Sequence, residues 1–210
     1  MNFEYAKTLA GEGAVLLLLG LIPYVGWVLG IVGIVLLLKA MKEFSYYYQD
    51  DNIYKNALTG LKYYVVALIA AAVAISVMVI AFATAGIFTS QPFAFTAGFS
   101  IGLASLFAGI IVAFIFYVLA ASHLKQTFNT LAAKSGEASF TTAGTLLWWG
   151  SIFTIIIVGL LLIFIAWIFT TIGFFSMKSR QYQEYGPQAN GSSYTPPPTA
   201  QPTQQTAATN

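Results

Sequence analysis

Residues 17 to 30 read LLLGLIPYVGWVLG, an apolar run with Pro23 and Gly26 set into its middle. Proline removes a helix hydrogen bond and glycine relaxes the backbone, so the stretch either kinks one long helix or turns the chain back on itself. The choice decides the topology. The apolar block around it runs from residue 9 to 38, longer than the roughly 20 residues needed to cross a hydrocarbon layer about 30 Å thick.

Three more apolar blocks follow, at residues 61 to 88, 97 to 122 and 141 to 176. The middle two each suit one somewhat tilted helix. The last would be about 54 Å long as a single helix, beyond what tilt absorbs. Each outer block therefore reads as two short helices, with full crossings and re-entrant half-spans both open for limbs this short. Composition agrees with a lipid environment. Of 210 residues, 58% are hydrophobic and 8% charged, where a soluble domain carries about 25% charged residues.

Lysine and arginine near span ends mark the cytoplasmic side. Lys7 precedes the first block; Lys39, Lys42, Lys55 and Lys62 follow it; Lys125 and Lys134 follow the third; Lys178 and Arg180 follow the fourth. The segment between blocks two and three, FTSQPFAFTAG, carries no charge and is expected outside. Both ends of each outer block then lie in the cytoplasm, so each turns back, the first at Pro23 and Gly26 and the second between Thr154 and Gly159. This predicts an all-α polytopic membrane helix bundle of about six helices, two short hairpins flanking two longer spans. The transmembrane domain covers residues 1 to 180, and a tail covers 181 to 210. A shift of 131 residues aligns Gly13 with Gly144, Leu16 with Leu147 and Ile34 with Ile165, which reads as two hairpins under the same packing rules or as an internal repeat.

GEGAVLLLLGLIPYVGWVLGIVGIVLLLKAMKEFSYYYQDDNIYKNALTG, with the distal FTTAG and GLLLIFIAWIFTTIGFFSMK, resembles an archaeal family of predicted integral membrane proteins, domain of unknown function 996. The resemblance covers roughly residues 6 to 178 and leaves out the tail. It implies an archaeal plasma membrane and a multi-helix bundle. It implies no activity, so no functional residue is carried over.

Ionisable residues inside hydrocarbon are the usual pointers to ion and substrate paths. None occurs in residues 13 to 38, 63 to 122 or 138 to 177, which lowers the weight of ion-coupled transport. Glu12 reads as a headgroup-level carboxylate favoured by the positive end of a helix dipole. His123 is the only histidine, so a multi-histidine metal site is excluded, and a catalytic role would need Glu137, the one acid in its loop. Asp50 and Asp51 precede NIYKNALTGLKYY, where one caps the following helix or the two bind a divalent cation. Tyr46, Tyr47, Tyr48, Tyr54, Tyr63 and Tyr64 suit aromatic anchoring at headgroup level or a partner surface.

Without cysteine there is no disulfide, thiolate metal site or cysteine nucleophile. A net charge of +2 gives no nucleic-acid footprint. Glu4 and Glu12 flank Lys7, and no small-residue cleavage site precedes Pro23, against a cleaved signal peptide. No phosphate loop, HExxH or GxSxG is present. Catalytic, cofactor and metal residues are accordingly none. Small residues do recur at helical spacing: Gly26 with Gly30 and Gly98 with Gly102 form GxxxG pairs, and Ala67, Ala70, Ala71 and Ala74 line the second block, suited to close helix packing.

The tail QYQEYGPQANGSSYTPPPTAQPTQQTAATN cannot bury enough apolar surface to fold and is expected to be disordered, a tether or an extended ligand for a partner. Its Asn190-Gly191-Ser192 fits a glycosylation pattern that the lysine placement opposes. The expectation is a non-enzymatic scaffold or interaction subunit of the plasma membrane, both termini cytoplasmic. Its partners would be the lipid bilayer and either a homo-oligomer or another membrane protein. The alternative is a channel or facilitator for a small neutral solute, with Thr84, Ser90, Ser100 and Ser105 as its candidate lining.

Overall fold

The computed structural model describes residues 3–20, 22, 26–87, 92–156 and 158–179. Pro23, Ser90 and everything from Arg180 onward, including the glycosylation pattern, lie outside the described residues. Within them the chain is all-helical, with six α-helices: α1 (Phe3–Leu19), α2 (Gly26–Tyr48), α3 (Asn52–Ile87), α4 (Pro92–Ser135), α5 (Ser139–Ile152) and α6 (Val158–Ser176). α1 with α2 and α5 with α6 are the two short hairpins, and α3 with α4 the longer pair between them. A 3₁₀ turn at Phe153–Ile155 and the extended Ile156 carry the chain from α5 to α6, inside the window of 154 to 159 read from the sequence. The turn needs no proline. Gly159 lies so close to Phe153 and Thr154 that a Cβ would overlap their backbone.

Both long helices outrun their apolar blocks. α3 starts nine residues before Leu61 and α4 ends thirteen after Ser122, so the segment around His123, expected as a loop, is helical, and Tyr46, Tyr47 and Tyr48 close α2. Hydropathy locates lipid contact, whereas NIYKNAL and HLKQTFNTLAAK carry their apolar residues at helical spacing. Leu124, Phe128 and Leu131 face the core on that spacing.

The core is a layer at one end of the molecule. Phe3 meets Phe44 with ring centroids 6.1 Å apart, Phe44 stacks on Phe174 at 6.1 Å, Phe174 meets Phe140 at 4.9 Å and Phe140 stacks on Phe128 at 6.0 Å. The Thr127 hydroxyl reaches the Ile53 carbonyl at 3.5 Å. These contacts tie the starts of α1, α3 and α5 to the ends of α2, α4 and α6. In this base the helices form a ring, each packed on its chain neighbours, with α6 closing on α1.

Above the base the arrangement thins. α4 and α5 run antiparallel through Phe128 against Phe140 and Lys125 against Gly144 as far as Tyr117 beside Thr154, where the chain turns back. α3 and α4 continue past this turn, paired through Tyr64 and Tyr117, Ala74 and Gly109, and Phe82 and Phe99. Residues 65 to 87 of α3 amount to about 34 Å of helix. Three helices are long and apolar enough to cross a membrane: residues 52–84, 96–135 and 158–176.

Candidate functional site

Every charged side chain of the described residues lies toward the base, from Lys178 below α6 up to Glu12, Lys39, Lys62 and Lys125, each about 15 Å along its helix from the base. Local chemistry holds this end together. α2 ends with Gln49 in the left-handed region at φ 53°, where Gln49 donates to the Tyr46 carbonyl (3.4 Å) and Asp50 to the Ser45 carbonyl (3.0 Å). Asp50 then accepts from the Asn52 backbone N–H at 3.1 Å, opening α3, and its other oxygen lies 3.3 Å from Lys134 Nζ in the last turn of α4. Partial burial works to raise the Asp50 carboxyl, but the Asn52 N–H and Lys134 outweigh it and hold the group below its ordinary value.

Asp50 is thus the cap, and Asp51 pairs instead with Lys55 one turn along α3, 3.3 Å away in solvent. The two carboxylates do not converge. Among the described residues no group of three or more acids and histidines could hold a metal ion. His123 stacks on Tyr63 with centroids 5.4 Å apart and places Nδ1 3.4 Å from Asn56 Oδ1, so its neighbour is an amide. Glu137 instead accepts from the hydroxyl of Ser139, the first residue of α5, at 2.7 Å and from its backbone N–H at 3.4 Å. Gly136, at φ 74°, makes the turn between them possible. Lys125 sits 4.7 Å over the Trp148 ring, joining α4 to α5 as a cation on an aromatic face. Glu12 is exposed on α1.

Among the glycines singled out by spacing, Gly26 opens α2 against the Gly20 backbone, and Gly30 faces Gly20 Cα at the looser distance of 4.0 Å. Gly102 leaves ordinary van der Waals space toward Phe82, Ala81 and Met78 of α3, and Gly98 is half-buried. Other glycines also make close backbone approaches within each hairpin. A Cβ on Gly13 would sit 3.0 Å from the Gly33 carbonyl oxygen and the Leu37 nitrogen, and one on Gly150 would sit 3.1 Å from the Gly159 oxygen and 3.2 Å from the Ile163 nitrogen. The second hairpin therefore repeats the first with Gly150 in the place of Gly13. Gly144, its partner in the sequence alignment, packs on α4 instead. The spacing of Gly13 and Gly20, and of Gly26, Gly30 and Gly33, carried this signal within the first hairpin.

Two concavities stand out. One is an apolar groove of about 410 Å³ between α3 and α4, lined by Ala70, Val73, Val77, Ala108 and Val112 among others. The second, of about 200 Å³, lies at the base between Lys42, Ser45 and Tyr46 of α2 and Asp51, Tyr54 and Lys55 of α3. Of the candidate pore hydroxyls, Thr84 donates to Ile80, Ser100 to Thr96 and Ser105 to Gly102 on their own helices, at 2.8 to 2.9 Å, and Ser105 also reaches the Ala74 carbonyl of α3 at 3.5 Å.

The model of a family described as protein of unknown function (DUF996) matches residues 29–168. An uncharacterized protein of Methanocaldococcus jannaschii is 29% identical over 178 residues, covering 84% of this chain and 94% of the relative. No solved structure matches.

Proposed function

The chain belongs to that family of unknown function, DUF996, and on this premise we propose that it is an integral membrane protein of the archaeal plasma membrane, acting as a non-enzymatic scaffold. In this reading α3 and α4 cross the bilayer. The charged base faces the cytoplasm with both termini, and the two short hairpins enter from the base side without crossing.

The observation that carries the reading is the match of lengths. Above Tyr64 and Tyr117 the α3 and α4 pair is free of charge for about 34 Å and exposes apolar side chains all round, close to one hydrocarbon thickness. Tyr63, Tyr64, Tyr117, Trp148 and Trp149 lie together at its lower edge, where amphipathic rings anchor a helix at headgroup level. The lysines lie below that belt, on the side the positive-inside rule assigns to the cytoplasm. The scaffold role is supported by what occupies the base, a ring closed by aromatic packing and helix caps. The hydroxyls of Thr84 and Ser100 are bonded to their own helices and that of Ser105 to its own helix and to α3, which does not favour the solute-channel alternative.

Because the chain has no cysteine, single thiols report position cleanly. A thiol replacing Ser179 should react with a membrane-impermeant maleimide only from inside right-side-out cells. One at Ile155, which is 77% exposed, should not react from the outer face. Reaction at Ile155 from the outer face would mean the second hairpin crosses.

A further inference from the structure

The cleft of about 200 Å³ at the base collects polar groups that neither the helix caps nor the aromatic layer uses. Lys42, Ser45 and Tyr46 line it from the last two turns of α2, and Asp51, Tyr54 and Lys55 from the entry to α3. Ser45 is only 5% exposed, and its hydroxyl has no hydrogen-bond partner among the described residues. In the other helices Ser76, Ser100, Ser135 and Thr170 each donate to the carbonyl four residues back, at 2.7 to 2.9 Å. A buried hydroxyl left unbonded costs free energy unless something outside the chain completes it. The Lys42 ammonium likewise has no ion pair among the described residues. The carbonyls of Ser45 and Tyr46 are already taken by the N–H groups of Asp50 and Gln49, and Asp50 is committed to Lys134. What the cleft offers a ligand is therefore mostly donors: two ammoniums, the Ser45 hydroxyl and the phenols of Tyr46 and Tyr54, against the single carboxylate of Asp51.

We infer that this cleft binds the phosphate group of a small soluble ester. Lysine binds phosphate as a point charge, and hydroxyl donors serve the remaining oxygens. The cleft stands at the N-terminal end of α3, where the helix dipole adds positive potential. Its volume falls below the about 300 to 1,000 Å³ of sites for drug-sized ligands, so one phosphate fills it and the organic part of the ester stays in water. Asp51 holds Lys55 at 3.3 Å with the two side chains 72% and 70% exposed. An exposed pair of this kind is worth little, so a phosphate can take Lys55 over, and Asp51 then opposes the ligand by its charge. The choice of a soluble ester over a lipid headgroup rests on the proposed membrane placement. Tyr54 and Lys55 precede Tyr64 by about 14 Å of helix, whereas the headgroup layer is about 5 to 8 Å deep on each face.

The test titrates the full chain in neutral detergent with inorganic phosphate at constant ionic strength, followed by calorimetry. The parent is expected to bind saturably at one site. Lys42→Gln should weaken binding by about tenfold and Ser45→Ala by about threefold. Asp51→Asn should tighten it by about threefold, and Lys178→Gln, at a lysine of the base outside the cleft, should leave it unchanged. A gain of affinity cannot come from misfolding, so the Asp51 variant keeps the test decisive where Ser45→Ala does not fold. Absence of saturable binding by the parent, equal losses in the Lys42 and Lys178 variants, or no gain in the Asp51 variant overturns the site and leaves the membrane placement standing. A second arm adds phosphatidylglycerol to the micelles and counts the lipids retained by native mass spectrometry. Parent and Lys42→Gln are expected to retain equal numbers. Fewer in the variant, with the lipid displacing phosphate from the parent, would put a headgroup in the cleft and reject the soluble source and the placement together.

Discussion

Phe44 near the end of α2 and Phe174 near the end of α6 stack with their ring planes within 2° of parallel, and neither side chain is reached by solvent. This pair joins the last helix of one hairpin to the last helix of the other, and Phe3 and Phe140 meet it edge-on from α1 and α5. Replacing either ring leaves a cavity that a close-packed layer cannot collapse around. Phe44→Ala and Phe174→Ala are each expected to cost about 3 to 5 kcal/mol. The double variant should cost less than the sum by about 1 kcal/mol. Unfolding midpoints in mixed detergent, followed by tryptophan fluorescence, measure both, and strict additivity would show that the two hairpins do not communicate through this stack.

Gln49 holds a left-handed backbone at φ 53° to end α2. A residue with a Cβ is strained there and glycine is not. Gln49→Gly is therefore expected to stabilise the fold by about 0.5 to 1 kcal/mol, less whatever the unfolded chain gains in freedom. A lower unfolding midpoint for this variant would show that the turn between α2 and α3 is not held by its backbone geometry.

Asp50 bridges the start of α3 to Lys134 at the end of α4. Its carboxyl is held below the ordinary 3.8, so the folded state favours the ionised form. The resulting stability is present above that ordinary value and is lost as the pH falls through the lower folded value. Asp50→Asn should weaken the fold at neutral pH by less than about 1 kcal/mol, since the pair is partly exposed and screened by salt. The gap between variant and parent should close on acidification below 3.8. A gap unchanged from neutral to acid pH would assign the effect to capping alone.

Much of this architecture is written in local features. Pro23 and Gly26 in an apolar block too long for one span, and lysines that all flank block ends, suffice to expect two hairpins around two longer helices. The depth of the hairpins is not written there. For the second hairpin it is set by which residue of α5 lies beside which residue of α4, fixed by Phe128 against Phe140, Lys125 against Gly144 and Tyr117 beside Thr154. The lower parts of α3 and α4 were hidden for a different reason. Their lysines and polar residues look like loop to hydropathy, although Phe128 and Leu131 already show the helical period. The base cleft between Lys42 and Lys55 joins residues from two helices across the Gln49 turn, a proximity that one-dimensional charge counting does not reveal.

Glycine pairing shows the same limit and yields the sharpest contrast between spacing and geometry. Gly98 and Gly102 make the GxxxG signal in α4, yet a Cβ on Gly102 would find its nearest neighbours 3.5 to 3.6 Å away, ordinary contact. Gly109 has no glycine four residues away, but a Cβ there would overlap the Ala74 methyl and lie 3.5 Å from the Ala70 carbonyl oxygen. The close approach of α3 to α4 in the charge-free region is made at Gly109. Association of helices in lipid relies on such backbone proximity, since the bilayer supplies no hydrophobic drive. Gly109→Ala should therefore push the pair apart and cost about 1 to 3 kcal/mol. Gly102→Ala should change stability by less than about 0.5 kcal/mol. Detergent-unfolding midpoints of the two variants decide it: equal losses, or a larger loss at Gly102, would mean that the sequence motif and not the Ala74 contact sets the packing of α3 on α4.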